Sequence, residues 1–96
     1  MAKKSAGKAA LNEWACGFGL LSDSTRLGIL SLLRGGPKNV TALCKALRQK
    51  QPTVSHHLGL LRMGRLVNGT RKGKSVIYTV DKAAMKTLVA ACKKLS

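Results

Sequence analysis

The segment from Gln51 to Arg65, QPTVSHHLGLLRMGR, has the pattern of a helix with one apolar face. Val54, Leu58 and Leu61 fall at i, i+4 and i+7, a spacing that places side chains on one side of an α-helix and predicts a stripe facing a core. The opposite side begins with short side chains, which are Gln51, Pro52, Thr53, Ser55 and His56. Because short hydrogen-bonding groups can approach base edges in a major groove, this pattern is typical of a recognition helix.

A short helix and a tight turn precede this segment. Residues 40–47, VTALCKAL, form the predicted short helix, and Asn39 is its expected cap. Arg48-Gln49-Lys50 is the predicted turn, although Lys50 stands where Ser or Thr is usual as the cap of the following helix. Two helices joined in this way, with polar residues at the start of the second, predict a helix-turn-helix.

The first third of the chain predicts a basic arm and two helices. Residues 1–8 contain Lys, Gly and Ser, and we expect them to be a flexible arm. The first helix is predicted from Ala9 to Leu21, with an apolar stripe formed by Leu11, Trp14, Ala15, Phe18 and Leu21. Asp23 or Ser24 caps a second helix that ends at Arg34. This helix is apolar enough for the middle of the core, through Leu27, Ile29, Leu30, Leu32 and Leu33.

After Arg65 the sequence changes from a helical period to alternation. Leu66–Arg71 and Ser75–Val80 are predicted strands, joined by the basic tip Arg71-Lys72-Gly73-Lys74. Asn68-Gly69 is a competing hairpin signal, but a turn there would leave almost no first strand. A basic hairpin beside a recognition helix is a wing, with charges that lie on phosphates or in the adjacent minor groove.

Asp81 is the expected cap of a last helix with an apolar stripe, formed by Met85, Leu88, Val89 and Cys92. A winged-helix core of about 60 residues cannot cover this stripe and that of the first helix, so we expect a homodimer through residues 9–21 and 82–95.

The predicted fold is mainly α with a small β-hairpin, a winged helix-turn-helix in the order α-α-α-α-β-β-α. It forms a single domain over residues 9–96.

The charge of the chain predicts a polyanionic partner. Eighteen Lys and Arg stand against three acids, which gives a formal net charge of +15. Nucleic acid is the commonest polyanion that proteins with such an excess of positive charge bind. No apolar run reaches the ~18 residues of a membrane span, and Asn12 and Glu13 interrupt the apolar part of the basic start. We therefore expect no membrane partner and a cytoplasmic location.

The three cysteines are odd in number and have no CxxC spacing, which argues against a disulfide framework and a zinc knuckle. Cys92 is the first candidate for a thiol switch, with Cys16 as its partner, because both lie on the predicted dimer helices. Cys44 is the weaker candidate, since bridging it would distort its short helix. The alternative is that all three are structural, as small buried hydrophobes.

Three segments together resemble the ArsR family of winged-helix repressors: DSTRLGILSLL (23–33), NVTALCKALRQKQPTVSHHLGLLRMGRLV (39–67) and TRKGKSVIYTV (70–80). The resemblance covers about Leu20 to Val80. It implies a homodimer through the first and last helices, which binds palindromic operator DNA. It also implies release from DNA on binding a metal ion or on thiol oxidation.

The resemblance places DNA contacts in the recognition helix and in the wing. They fall on Gln51, Thr53, Ser55, His56, Arg71, Lys72 and Lys74, and the predicted contact surface also includes Gln49, Pro52 and Arg62. His56 points outward, so we favour DNA contact over plain solvation for it. His57 lies beside the apolar stripe, so we expect a packed structural histidine and not a base reader or a ligand.

The metal sites of the family do not carry over. Asn39 and Thr41 occupy the places of its Cys-x-Cys pair just before Cys44. Ala83 stands where the last helix would supply its first His, and no His or acid follows Asp81. Because a closed site needs four ligands, we expect no metal, no other cofactor and metal-independent regulation.

An enzyme is not expected. Ser55, His56 and His57 are neighbours, but consecutive helical side chains diverge by about 100°, and no glycine-rich phosphate cradle precedes a helix. The favoured function is a sequence-specific DNA-binding transcriptional regulator, a repressor acting as a homodimer. The alternative is a non-specific architectural nucleic-acid binder, or an RNA binder. Against RNA, the only rings lie on predicted core faces, and they are Trp14, Phe18 and Tyr78.

Overall fold

Residues 7–95, which are those that the computed structural model describes, form five helices and three strands. The helices are α1 (Lys8–Leu20), α2 (Ser24–Arg34), α3 (Val40–Leu47), α4 (Gln51–Met63) and α5 (Lys82–Leu95). The strands are β1 (Lys38–Asn39), β2 (Val67–Lys72) and β3 (Ser75–Val80). The predicted fold, mainly α with a small β-hairpin, is confirmed. Most of the predicted basic arm, residues 1–6, lies outside the described residues.

Three helices begin at polar caps that the sequence predicts. The side chains of Asp23, Asn39 and Asp81 each accept a hydrogen bond from the backbone N–H three residues further on, at 2.8 to 3.0 Å. These bonds satisfy N–H groups that have no partner inside the helix. Helix α4 lacks a side-chain cap, as its sequence predicts, because Lys50 makes no side-chain capping bond.

An aliphatic core holds α2, α3 and α4 together. The stripe on α4 is buried as predicted, since Val54, Leu58 and Leu61 are at most 1 % exposed. It packs in one cluster with Ile29 of α2 and Leu43 of α3. The remaining buried members of the cluster are Leu30, Leu33, Leu66, Val67 and Leu88. This packing fixes which face of α4 is left for solvent.

The wing is an antiparallel hairpin with a two-residue loop. Lys72 of β2 faces Ser75 of β3, so Gly73 and Lys74 form the tip. Gly73 has φ +60°, a left-handed conformation that glycine adopts without the steric cost of a Cβ atom. The loop lies within the predicted tip, but Arg71 and Lys72 belong to β2, and the competing Asn68-Gly69 pair also lies inside β2.

The structure adds a third strand, which the predicted element order lacks. Lys38 and Asn39 pair with Tyr78 and Ile77, so the sheet has the order β1-β3-β2. A two-residue strand is too short for alternation to reveal it. The same pairing attaches the start of the helix-turn-helix to the wing.

Other differences from the prediction are small shifts of the ends of elements. Helix α1 begins at Lys8, assigned by the prediction to the arm, and β2 runs one residue later than predicted. Helix α4 ends at Met63, because Gly64 closes its last turn and Arg65 turns left-handed at φ 63°. Leu27, predicted to help form the core, is 48 % exposed.

Helix α1 packs against α5 at a close approach. A Cβ built on Gly17 would lie 2.5 Å from Cδ2 of Leu88, so any side chain at this position requires Leu88 to move. The ammonium of Lys94 also lies 5.8 Å from the ring centre of Trp14. Outside this contact the two helices keep apolar surface exposed, at Leu11, Val89 and Leu95.

We predict opposite roles for the two glycines of α1. Gly19 has nothing within 4 Å of a built Cβ, so Gly19→Ala should stabilise the fold by up to about 1 kcal/mol through helix propensity. Gly17→Ala brings the same helical gain but forces Leu88 to move, and should be less stable than Gly19→Ala by about 1 kcal/mol or more. Urea denaturation of both variants measures the difference. Equal stability would contradict the close approach of α1 to α5.

Candidate nucleic-acid interface

The outer face of α4 is open and carries short side chains. Gln51, Pro52, Thr53, Ser55 and His56 are all exposed, as the buried stripe on the opposite side requires. No acid lies on this helix. A polyanion therefore meets hydrogen-bonding groups without like-charge repulsion, at a helix start whose macrodipole end is positive.

Exposed cations surround the start of α4. Lys45 and Lys50 are exposed, and Arg48 is exposed in a left-handed conformation at φ 55°. A non-glycine residue pays about 1 kcal/mol or more for such a conformation. Sequence reasoning named Gln49 from this turn and missed the three cations, although the Arg-x-Lys pattern was visible.

The wing supplies a second group of cations. Arg71, Lys72 and Lys74 are exposed around the hairpin tip. They extend from a sheet that shares the hydrophobic core with α4, since Val67 of β2 is buried in the same cluster as Leu61. The wing and α4 are therefore held in one rigid unit.

Gln49 is engaged inside the protein. Its side-chain nitrogen donates to Oγ1 of Thr25 at 2.9 Å, and the residue is half-buried. The bond ties the turn of the helix-turn-helix to α2. The side-chain carbonyl of Gln49 remains as the group with which it can face DNA.

His57 sits at the junction of α4 with the corner between α1 and α2. Arg26 donates through Nε to the carbonyl of Leu20 at 2.7 Å and through Nη2 to that of Gly19 at 3.5 Å. Its Nη1 lies 3.2 Å from Nδ1 of His57. On the other side of the ring, Nε2 of His57 lies 3.9 Å from Oδ2 of Asp23. The prediction of a packed structural histidine agrees with this position.

The partners of His57 determine where its proton lies. A guanidinium can only donate, so Nδ1 of His57 accepts from Arg26 and the neutral ring carries its proton on Nε2. Asp23 is itself held in place, because it accepts the backbone N–H of Arg26 at 3.0 Å. That bond lowers the pKa of the Asp23 carboxyl below its ordinary value of 3.8, burial opposes the shift, and attraction to the protonated form of His57 and to Arg26 assists it.

A family model agrees with this geometry. The model described as "Bacterial regulatory protein, arsR family" matches residues 23–69. The transcriptional repressor SdpR of Bacillus subtilis is 33% identical over 64 residues, which cover 67% of this chain and 71% of SdpR. The chain belongs to the arsR family.

Further relatives agree with this assignment. The regulator NmtR of Mycobacterium tuberculosis is 45% identical over 60 residues, 62% of this chain and 50% of NmtR. The arsenical resistance operon repressor of Escherichia coli is 48% identical over 65 residues, 67% of this chain and 56% of that protein. The chain thus spans about half the length of these two relatives.

Solved structures of arsR-family proteins have the same fold. The solution structure of a homodimeric winged helix-turn-helix DNA-binding domain from Mycobacterium bovis has a TM-score of 0.76 and 31% identity. It covers 98% of this chain, which in turn covers 90% of that domain. The chain therefore shares the winged helix-turn-helix fold of this family, whose model describes regulatory proteins, and the relatives named above are regulators by name.

The predicted DNA contacts fall into two exposed groups and one engaged residue. One group is on α4 and includes Arg62 near its end, the other is on the wing, and Gln49 is the engaged residue. Their roles in this arsR-family protein remain predictions.

The three cysteines lie in three different helices, α1, α3 and α5. Cys16 and Cys92 are exposed, and Cys44 is half-buried. Within residues 7–95 no three His, Cys, Asp or Glu side chains are grouped so that they could hold a metal ion. No helix in that range is long and apolar enough to cross a membrane. The thiol switch stays a prediction.

We predict that the charge of Asp23 stabilises the fold in a pH-dependent way. Asn at this position keeps a capping oxygen but has no charge, so Asp23→Asn should be less stable than the wild type at neutral pH. Because folding lowers the pKa of this carboxyl, the stabilisation is present above about pH 3.8 and is lost as the pH falls through the lower, folded value. Denaturation of both proteins between pH 7 and 3 measures the gap, and a gap that grows in acid would contradict the assignment.

Proposed function

We propose that this protein is a repressor that binds palindromic operator DNA as a homodimer. The observation that supports this best is the open, acid-free outer face of α4, with exposed cations at its start and on the wing. Two such units related by a two-fold axis match an operator with two-fold symmetry. SdpR and the arsenical resistance operon repressor carry the name of repressor, which supports this direction of regulation.

Within this proposal, the two groups of residues have different tasks. Gln51, Thr53, Ser55 and His56 on α4 contact base edges and give sequence preference. The cations of the wing and of the turn before α4 contact phosphates and give affinity without preference. Arg48 and Lys50 join the phosphate contacts, because they flank the helix start that enters the groove.

We predict strongly salt-dependent binding. Each chain carries a formal charge of +15, and a dimer that neutralises six to ten phosphates should show log K falling with log salt at a slope of roughly −5 to −9. Lys72→Ala or Lys74→Ala should weaken binding to all duplexes alike and reduce the steepness of the slope by about 2, because the dimer loses one phosphate contact in each protomer. Thr53→Ala or His56→Ala should instead cost about 1–3 kcal/mol at particular base pairs.

Fluorescence anisotropy on a duplex selected from random DNA, and on a shuffled version, measures both effects. A slope near zero would exclude DNA binding through these charges. Equal losses on both duplexes for Thr53→Ala and His56→Ala would contradict base contacts by α4.

Dimerisation through α1 and α5 is supported by the apolar surface that these helices leave uncovered. Leu11, Val89 and Leu95 are between 47 % and 65 % exposed. A separate groove of about 780 Å³ lies between α2, β3 and the start of α5, with the exposed Leu27 in its wall. Apolar surface of this extent is costly in a free monomer and is covered by a second copy. The homodimeric relative from Mycobacterium bovis supports the same arrangement.

We predict that Val89→Lys weakens the dimer. Val89 is a better probe than Leu88, because Leu88 is buried against α1 of its own chain and a charge there would disrupt the fold. Thr87→Lys is the matched control, since it adds the same charge to an exposed position on the opposite side of α5. Sedimentation equilibrium should show a weaker dimer for Val89→Lys alone. A monomeric wild type at micromolar concentration, or equal dimerisation of the two variants, would contradict the proposal.

We also propose that regulation does not use the metal sites of the family. Asn39, Thr41 and Ala83 stand in places where those sites need ligands, and none of them supplies a thiolate or an imidazole. Addition of Zn²⁺, Ni²⁺ or arsenite should leave the DNA affinity of the reduced protein unchanged. A loss of affinity at a stoichiometric amount of any one of them would contradict this.

A further inference from the structure

Arg26 connects two parts of the protein that have different tasks. Two of its guanidinium nitrogens donate to the carbonyls of Leu20 and Gly19 at the end of α1, and a third donates to His57 on α4. Helix α1 packs on α5, so it belongs to the proposed dimer contact. Helix α4 belongs to the proposed DNA contact. One side chain therefore joins both by direct hydrogen bonds.

The geometry of this connection is rigid. A guanidinium is planar, and its donors have a fixed mutual arrangement, so three bonds to two helices define an orientation. The cation also lies at the carboxyl end of α1, where the helix macrodipole favours positive charge. The side chain of His57 is 15 % exposed, so solvent competes little for its ring nitrogens.

Both ring nitrogens of His57 face the same corner of the chain. Arg26 meets Nδ1, and Asp23, the cap of α2, lies beside Nε2. Asp23 and Arg26 are fixed to each other by the capping bond. The ring is thus oriented from both edges by one locally rigid unit.

Rotation of α4 about its own axis is the motion that this arrangement opposes. The buried stripe of α4 makes non-directional apolar contacts, which tolerate a small roll. At a radius of 5–6 Å, a roll of about 20° moves an outer side-chain atom by about 2 Å. A displacement of that size breaks a base-edge hydrogen bond, whose donor and acceptor lie about 3 Å apart.

We propose that Arg26 and His57 form a clasp that fixes the roll of α4 against the α1–α2 corner. In this way they set the sequence preference of the protein without contacting DNA. The proposal rests on the proposed reading of bases by α4, and it makes both side chains positioning residues. Because the clasp ends on α1, it also connects the angle of each recognition helix to the dimer contact.

The clasp requires a neutral His57. Protonation of Nδ1 removes the acceptor and places a second cation 3.2 Å from Arg26. Asp23 opposes this loss by attracting the cation, and His56, with its ring centre 5.6 Å away, is the other titratable group beside the ring. The sequence preference should therefore weaken as the pH falls.

Five proteins test the clasp: the wild type, His57→Asn, His57→Phe, Arg26→Lys and the double variant that combines His57→Phe with Arg26→Lys. Asn places a carbonyl oxygen at the position of Nδ1 and does not titrate, whereas Phe keeps the ring and has no acceptor. Lys keeps the charge of Arg26 but cannot reach both helices with a planar fork. The measurement is the ratio of affinities for a duplex selected by the wild type from random DNA and for its shuffled version.

We expect His57→Phe and Arg26→Lys to lower this ratio about tenfold or more, with affinity for the shuffled duplex changed less than about threefold. The variant with both changes should lose no more than either alone, because both break the same contact. His57→Asn should keep the ratio within about threefold. An unchanged ratio in His57→Phe, or an equal loss in His57→Asn, would overturn the clasp.

A pH series separates positioning from a structural role. Between pH 7.5 and 5.5 the ratio should fall for the wild type and stay flat for His57→Asn. Both proteins keep His56, so its titration contributes equally to the two curves. Parallel curves would overturn the clasp.

Nuclear magnetic resonance of the free protein tests the clasp separately from the proposal that α4 contacts bases. If the wild type prefers no duplex, base reading by α4 fails. The clasp still predicts an unprotonated Nδ1 in neutral His57. It also predicts that Arg26→Lys and His57→Phe shift the same amide signals in residues 51–56, which His57→Asn leaves in place. A neutral ring protonated on Nδ1, or unrelated shifts in the two variants, would overturn it.

Discussion

Burial of one side of α4 is the constraint on which the rest of the structure depends. Val54, Leu58 and Leu61 are nearly inaccessible to solvent and pack in the cluster that holds Ile29 and Leu43. The opposite side of the helix must then face outward. The sequence supplies short side chains there and no acid, so the same packing that stabilises the domain also presents a surface that a polyanion can approach.

The three acids of the chain are placed so that they do not weaken this surface. Asp23 and Asp81 cap α2 and α5, and Glu13 lies on α1. None lies on α4 or on the wing. A chain with this excess of cations repels itself, and the capping acids stabilise helices while leaving α4 and the wing without negative charge.

Local patterns explain which features the sequence predicts. The stripe of α4, the caps and the hairpin tip each depend on residues a few positions apart, so spacing alone shows them. Strand β1 and the bond from Gln49 to Thr25 join residues 24 or more positions apart. The same holds for Arg26 and His57, which are 31 positions apart. Polar contacts between residues far apart in the chain produce no periodic pattern in the sequence. The sequence therefore indicated a packed His57 but not its partners. Within α4, the exposed residues follow from the buried ones. Arg48 and Lys50 are visible in the sequence as cations, but their exposure beside the start of α4 depends on the geometry of the turn.

Apolar contacts and hydrogen bonds constrain the position of α4 in different ways. Aliphatic packing contributes most of the free energy of folding, but it is non-directional and constrains the roll of a helix weakly. Hydrogen bonds contribute less net free energy and depend steeply on angle and distance. A regulator that reads bases cannot tolerate a roll of about 20° in the helix that reads them, because such a roll moves an outer side-chain atom by about 2 Å. In this chain the apolar stripe attaches α4 to the core. We propose that the hydrogen bonds of Arg26 to α1 and to His57 fix the rotation of α4 about its axis, which the stripe constrains weakly.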